Sequence, residues 1–184
     1  MNSEHILAGE ILTLLEQTGR KLVCAESCTA GWVSAVLAGI PGASRWLCGS
    51  LVVYRNATKT EWLGVPAEVL DDPARGDVCR ETASWMARGA LAKTPEASVA
   101  VSVTGHLGPG APDGLDGVVD IGWAERGVGF PAEITVRSER VLLREPAPRS
   151  GEDIPRRVAR QTEAARCVLR VARDALREIA GRSV

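Results

Sequence analysis

Ser27 is the first residue whose surroundings could support chemistry. It lies in Ala25-Glu26-Ser27-Cys28-Thr29-Ala30-Gly31, where a short apolar segment gives way to a helical pattern. A strand-to-helix turn lifts its side chains to the carboxyl end of a sheet, where open α/β folds bind ligands. The first amides of the helix and its dipole also favour an anion or an oxyanion there. Ser27 is therefore a candidate nucleophile. The plainer alternative is that Ser27 or Thr29 is only the helix N-cap. A serine nucleophile needs a base, and Lys59 in Tyr54-Arg55-Asn56-Ala57-Thr58-Lys59 is a candidate. Ser–Lys pairs are an established variant of the catalytic triad, provided the lysine is desolvated and its pKa lowered. If the strand before Ser27 and the strand before Tyr54 are neighbours, their carboxyl ends bring the two residues together. On local grounds alone, Lys59 also reads as a solvated helix residue.

A third segment, Val103-Thr104-Gly105-His106-Leu107-Gly108-Pro109-Gly110-Ala111-Pro112-Asp113-Gly114, follows an apolar run. Such a loop can bring backbone amides close to a phosphate. It lacks the Walker pattern G-x-x-x-x-G-K-[ST], and a plain surface connection would look similar. His106 reads as an incidental loop histidine.

The elements that must position these residues follow from periodicity. Residues 4–17 carry apolar side chains at Ile6, Leu7, Ile11, Leu14 and Leu15, the 3.6-residue period of an amphipathic helix closed by Gly19. Strands are expected at 21–25, 46–54 and 98–103, and an antiparallel pair at 118–124 and 132–143 around a turn at Gly127–Gly129. Helices are expected at 29–38, 57–63, 66–70 and 77–91. A linker is expected at 146–155, followed by an Arg-rich helix at 156–179. Early alternation of strands and helices with a late hairpin predicts an α/β sandwich, a mixed sheet with helices on both faces.

Composition sets the outer limits. The chain has 184 residues, 45% hydrophobic and 24% charged, with a net charge of −1. That size predicts a single domain over residues 1–184. A balanced charge argues against a nucleic-acid partner, although the last helix is basic. No apolar run reaches the roughly 18 residues of a membrane span, so no membrane partner is expected. No secretory signal opens the chain. The five cysteines are an odd number, and they read as reduced thiols of a cytoplasmic protein, mostly core. Cys24 and Cys28 lack the spacing of a zinc knuckle, so no metal site is expected. Basic residues are 19 Arg against three Lys, at positions 21, 59 and 93. So few lysines make each worth locating. Lys21 and Lys93 fall beside element ends and read as solvated.

Taken together and in this order, the segments resemble the C-terminal domain of CinA-type competence/damage-inducible proteins, the nicotinamide-nucleotide amidohydrolases. The matching stretches are AESCTAG at 25–31 (against the usual AESCTGG), IPGAS at 40–44, Tyr-x-Asn-x-x-Lys at 54–59, LGV at 63–65 and VTGHLGP at 103–109. A helix over 76–90 is also similar, and the likeness covers about residues 5–170. AESCT followed 27 residues after Ser27 by Y-x-N-x-x-K is a far more specific signal than either piece alone.

The resemblance implies a three-layer α/β/α sandwich with a mixed five-stranded sheet. It implies a serine amidohydrolase in which Ser27 is the nucleophile, Lys59 the base and Tyr54 an aid to Lys59. The implied substrate is nicotinamide mononucleotide, converted to nicotinate mononucleotide and ammonia in NAD recycling, with no cofactor. The substrate is expected against Thr29, Gly31, Asn56, Thr104, Gly105 and Gly108, with a phosphate-binding arginine at Arg156 or Arg160. The oxyanion is expected on amides of the helix after Thr29 or of the Gly-rich loop. A homodimer or higher homo-oligomer is also implied.

Several residues depart from the family pattern. Ala30 replaces a glycine, a mild exchange if that stretch is helical, and Cys79 replaces a serine. The family's K-P-V-G-T-V is replaced by Leu115-Asp116-Gly117-Val118-Val119-Asp120. The usual G-D-R-x-x-x-R-R is blurred around residues 155–161. Asp113 and Asp116 bring negative charge beside the loop, which suits a cationic pyridinium and is unhelpful for a phosphate. These departures leave two alternatives open: a non-catalytic nucleotide-binding or regulatory domain, or an amidase with a shifted substrate.

Overall fold

Leu22–Glu26, the first strand (β1), is buried at every residue, as a strand covered on both faces must be. In the computed structural model, which describes residues 3–72, 76–127, 132–147 and 153–182, β1 lies inside a five-stranded sheet. The other strands are Leu47–Val52 (β2), Val99–Gly105 (β3), Val118–Arg126 (β4) and Ile134–Leu142 (β5), in the order β2-β1-β3-β4-β5. β1 runs parallel to β2 and β3, while β3–β4 and β4–β5 are antiparallel. β5 alternates between exposed and half-buried residues, as an edge strand does.

The helices form the outer layers. Ser3–Thr18 (α1), Trp32–Ala38 (α2) and Ile154–Arg182 (α6) pack on one face, through Leu15, Leu37 and Leu169 onto Cys24, Val101 and Ile121. Asn56–Leu63 (α3), Ala67–Leu70 (α4) and Arg80–Lys93 (α5) cover the other, through Leu63, Leu70 and Met86 onto Val23, Ala25 and Ala100. This is the three-layer α/β/α sandwich with a mixed sheet expected from the sequence. Gly122 sets the spacing of α5 on β4: a Cβ there would stand 2.3 Å from the Ala83 carbonyl oxygen. The same carbonyl accepts the Ser102 hydroxyl at 2.6 Å.

Several boundaries differ from expectation, α5 starting at Arg80 rather than at residue 77 among them, and two have a clear local reason. The second helix begins at Trp32, not Thr29, because residues 29–31 form a turn in which Ala30 (φ 52°) and Gly31 (φ 97°) are left-handed. The last helix begins at Ile154 and takes Pro155 into its first turn, where a missing N–H costs nothing. Residues 148–152 of the expected linker and residues 128–129 of the expected turn lie outside the described residues. Gly127 itself donates to the Glu133 carbonyl at 2.8 Å.

Candidate active site

β1 delivers Ser27 to the carboxyl end of the sheet, between β2 and β3. The crossover from β1 to β2 runs through α2 on one face, and that from β2 to β3 through α3–α5 on the other. Such a switch of faces opens a crevice at the strand ends. Ser27 is pinned there by its N–H, which donates to the Val103 carbonyl of β3 at 3.0 Å. On the other side Val53 N–H donates to the Glu26 carbonyl at 2.8 Å.

Glu26 explains the late start of α2. Its carboxylate is buried, and it accepts Thr29 Oγ1 at 2.8 Å and the Gly31, Val33 and Ser34 amides at 3.0 Å each. Ser50 Oγ adds a further bond at 3.0 Å. The amides that a free helix start would offer an oxyanion are thus taken from inside the fold. Ala30 N–H donates to the Ser27 carbonyl and Trp32 N–H to the Thr29 carbonyl. Among the described residues, the Cys28 and Thr29 amides have no such partner. They follow Ser27 directly in the chain.

Lys59 is on α3, directly after β2, and is 1% exposed. Its Nζ donates to Asn56 Oδ1 at 3.2 Å and to the Asp77 carbonyl at 3.3 Å, with Asp77 Oδ2 at 3.6 Å. Thr104 Oγ1 donates to the same Asp77 carbonyl at 3.4 Å, so Lys59 and Thr104 converge on one oxygen. Burial holds the Lys59 ammonium below its ordinary pKa, against the opposing pull of Asp77 and the thiols of Cys28 and Cys79. Burial also pushes the Cys28 thiol up to about 12, so Cys28 is an inert thiol beside Ser27. Ser27 is 7% exposed, and among the described residues its hydroxyl shares no hydrogen bond with Lys59. Apo sites commonly hold catalytic partners apart in this way until substrate draws them in.

The remaining expected site residues divide into two groups. Asn56, Thr104 and Gly105 stand with Lys59 and Ser27. A Cβ on Gly105 would meet the Cys28 sulfur at 3.2 Å, so this backbone packs directly under the Ser27 turn. The Thr29 hydroxyl and the Gly31 amide point at Glu26 instead. Tyr54 is 52% exposed and accepts a hydrogen bond from Arg157 Nη2 at 2.9 Å. It stands at the mouth of the crevice and shares no hydrogen bond with Lys59 among the described residues. Arg157 also donates to the Gly108 carbonyl, fastening the Gly-rich loop to α6. Arg160 is buried with its fork closed on Asp116, at 2.8 and 2.9 Å, and Arg156 pairs with Asp153. His106 sits in the same recess, its imidazole held below its ordinary pKa by burial.

Sequence reasoning missed Glu26, Asp77 and Arg157. It also missed the pair of buried Asp120 with Arg140, which bonds through both carboxylate oxygens at 3.0 and 2.7 Å. The usable signal for Glu26 was its place in AESCT, and for Arg157 its neighbours Arg156 and Arg160. Asp77 carried no pattern at all. A groove of about 350 Å³ between β5 and α6, lined by Trp123, Val141, Cys167 and Arg170, includes none of the residues around Ser27. Among the described residues, no three His, Cys, Asp or Glu side chains gather as metal ligands. No described helix is long and apolar enough to cross a membrane.

The chain is similar to known proteins over most of its length. The model of the CinA C-terminal domain matches residues 4–151. A CinA-like protein of Syntrophotalea carbinolica is 39% identical over 63% of this chain and 28% of its own length. A putative competence-damage inducible protein of Caldicellulosiruptor bescii is 34% identical over 83% of this chain and 37% of its own. The chain thus spans about a third of the length of these curated relatives. Among solved structures, the competence/damage inducible protein CihA from Agrobacterium tumefaciens is similar with a TM-score of 0.76 at 30% identity, covering 96% of this chain and 97% of that one. ComA from Klebsiella pneumoniae gives 0.78 at 26% identity, covering 94% and 96%.

Proposed function

The chain belongs to the CinA C-terminal domain family, and from that premise we propose that it is a serine amidohydrolase that converts nicotinamide mononucleotide to nicotinate mononucleotide and ammonia. The observation that carries this reading is a lysine buried to 1% exposure at the strand ends where Ser27 is anchored, with burial lowering its pKa. A desolvated lysine is the form that can act as a base near neutral pH.

The steps follow from these residues. Neutral Lys59 accepts the Ser27 proton as Ser27 Oγ attacks the carboxamide carbon. The oxyanion is held by the Cys28 and Thr29 amides, in the manner of the amide that follows the nucleophile in hydrolase elbows. Protonated Lys59 then gives its proton to the departing nitrogen, and ammonia leaves. Water enters and its oxygen attacks the acyl carbon as Lys59 takes one of its protons. Lys59 returns that proton to Ser27 Oγ as the acyl bond breaks, and the acid formed loses its proton to solvent to give the carboxylate. Arg157 stands at the mouth as the arginine for the phosphate end, since Arg160 is closed on Asp116.

A second reading, a nucleotide-binding domain without turnover, draws on the Lys59–Asp77 contact at 3.6 Å, which favours a charged lysine. Ammonia release from nicotinamide mononucleotide separates the two. The amidohydrolase releases ammonia, and Ser27→Ala lowers the rate by at least about 1000-fold with folding intact. An active Ser27→Ala protein overturns the proposal, and binding without ammonia release selects the second reading.

A further inference from the structure

Asp77 lies just before α5, and its contacts with Lys59 leave an unusual asymmetry. The Lys59 side chain is 2% exposed, while that of Asp77 is 42% exposed. The lysine is fixed at the floor of the crevice, and the carboxylate beside it opens toward solvent. Holding Lys59 in place does not require that carboxylate. Asn56 Oδ1 and the Asp77 backbone carbonyl already accept from Nζ. A carboxylate here also opposes a general base, because it favours the charged amine. Three other carboxylates around the site are committed elsewhere. Glu26 caps α2, Asp120 is bound by Arg140 and Asp116 by Arg160. The other titratable groups facing Lys59 are the Cys28 and Cys79 thiols and His106, with Arg140 and Asp116 beyond His106.

We propose that Asp77 reads the charge of the substrate: it pairs with Lys59 in the empty site and turns to the positive ring of a pyridinium carboxamide when one binds. This rests on the amidohydrolase reading above. The ring charge lies within one ring's width of the carboxamide carbon, so a carboxylate beside the base is within its reach. When Asp77 turns away, the Lys59 ammonium loses its counter-ion and releases its proton to water. The amine then meets Ser27 in the form that accepts a proton. The site thus selects cationic N-ribosylpyridinium carboxamides over neutral carboxamides of the same shape, and the cation itself prepares the base.

The test compares nicotinamide mononucleotide with its reduced 1,4-dihydro form, which keeps the carboxamide, ribose and phosphate but has a neutral ring. Calorimetric binding is measured on Ser27→Ala protein, so that neither ligand is turned over. The cation is expected to bind about tenfold more tightly, the effect of one partly desolvated charge pair. Adding Asp77→Asn should bring the two ligands within about threefold, and adding Asp77→Glu should restore the preference. With Ser27 intact, Asp77→Asn should raise KM and move the acidic limb of the kcat/KM profile to lower pH. Equal binding of the two ligands to Ser27→Ala, or a preference that survives Asp77→Asn, overturns the proposal. If the protein with Ser27 intact releases no ammonia, an Asp77-dependent preference upholds the reading of ring charge by Asp77 but refutes the amidohydrolase reading and, with it, the priming of the base.

Discussion

Lys59 costs the fold stability for as long as it is charged, because burial removes water from its ammonium group. Its lowered pKa fixes the sign of the pH dependence. Below the folded-state pKa both folded and unfolded lysine are protonated, and the penalty is full. Between that pKa and the ordinary lysine value of about 10.4, the folded state releases its proton first, and the penalty is relieved as pH rises. Ammonia release should climb with pH in the same sense, at a lower pH than an ordinary lysine would give. Lys59→Met should abolish turnover yet raise the melting temperature by about 2–4 °C at pH 7, the shift expected for about 1 kcal/mol in a chain of this size. Calorimetric melts of the two proteins check this. Unchanged or lower stability would mean that the contacts to Asn56 and Asp77 outweigh desolvation. Ser27 and Lys59 stood out as candidates because each follows a strand signal, although Lys59 by itself also read as a solvated helix residue, and the fold buries it. Asp77 was not, since a loop carboxylate carries no period. The choice among Arg156, Arg157 and Arg160 needs the rotation of α6, and neighbouring residues on a helix point about 100° apart.

The start of α2 shows how an element can be misread by local rules. Ser27, Thr29 and the small residues after them look like a helix cap, and the expected helix began at Thr29. The actual cap is Glu26, the last residue of β1, which reaches forward to the Gly31, Val33 and Ser34 amides. The turn this requires is left-handed at Ala30, with φ 52°. For an alanine that conformation costs roughly 1–2 kcal/mol. Ala30→Gly removes the strain but loosens the unfolded chain. The net gain should be about 0.5–1 kcal/mol, read from chemical denaturation, with no change in the Ser27 anchor. A destabilised Ala30→Gly protein would contradict the reading of this turn. β1, β3 and β4 were legible because both of their faces are mostly covered, which leaves apolar runs such as SVAVSV at 98–103. Their order in the sheet was not, because pairing is decided by packing between distant segments.

At the scale of the molecule, α6 is part of the domain and of the site. Ala165, Val168, Leu169, Ala172 and Leu176 are buried in the core beneath the sheet. Arg166 binds Glu4 of α1, and Arg177 binds Glu10 at 3.0 Å. The same helix sends Arg157 to Tyr54 and Gly108, Gln161 to the Cys28 carbonyl at 3.2 Å, and Arg160 to Asp116. It therefore joins the N-terminal helix, the Ser27 turn and the Gly-rich loop. A chain ending at residue 153 retains all five strands and Lys59, yet it should lose cooperative unfolding, because one face of the sheet is left bare. Circular dichroism melts check this, and a sharp transition in the shortened chain would refute the role given to α6. The sequence announced α6 by its length and arginine content. The resemblance already expected one of its arginines, Arg156 or Arg160, at a phosphate, while the contacts of Arg157 with Tyr54 and Gly108 came only with the fold.

The account depends most on a covalent bond to Ser27. The direct measurement is peptide mass analysis of the wild-type protein, quenched in acid within its first turnovers on nicotinamide mononucleotide. The account predicts an increment equal to the substrate minus ammonia on the peptide containing Ser27, absent from Ser27→Ala protein, which releases no ammonia. Ammonia release that continues in Ser27→Ala, or an acyl group found on another residue, would contradict it.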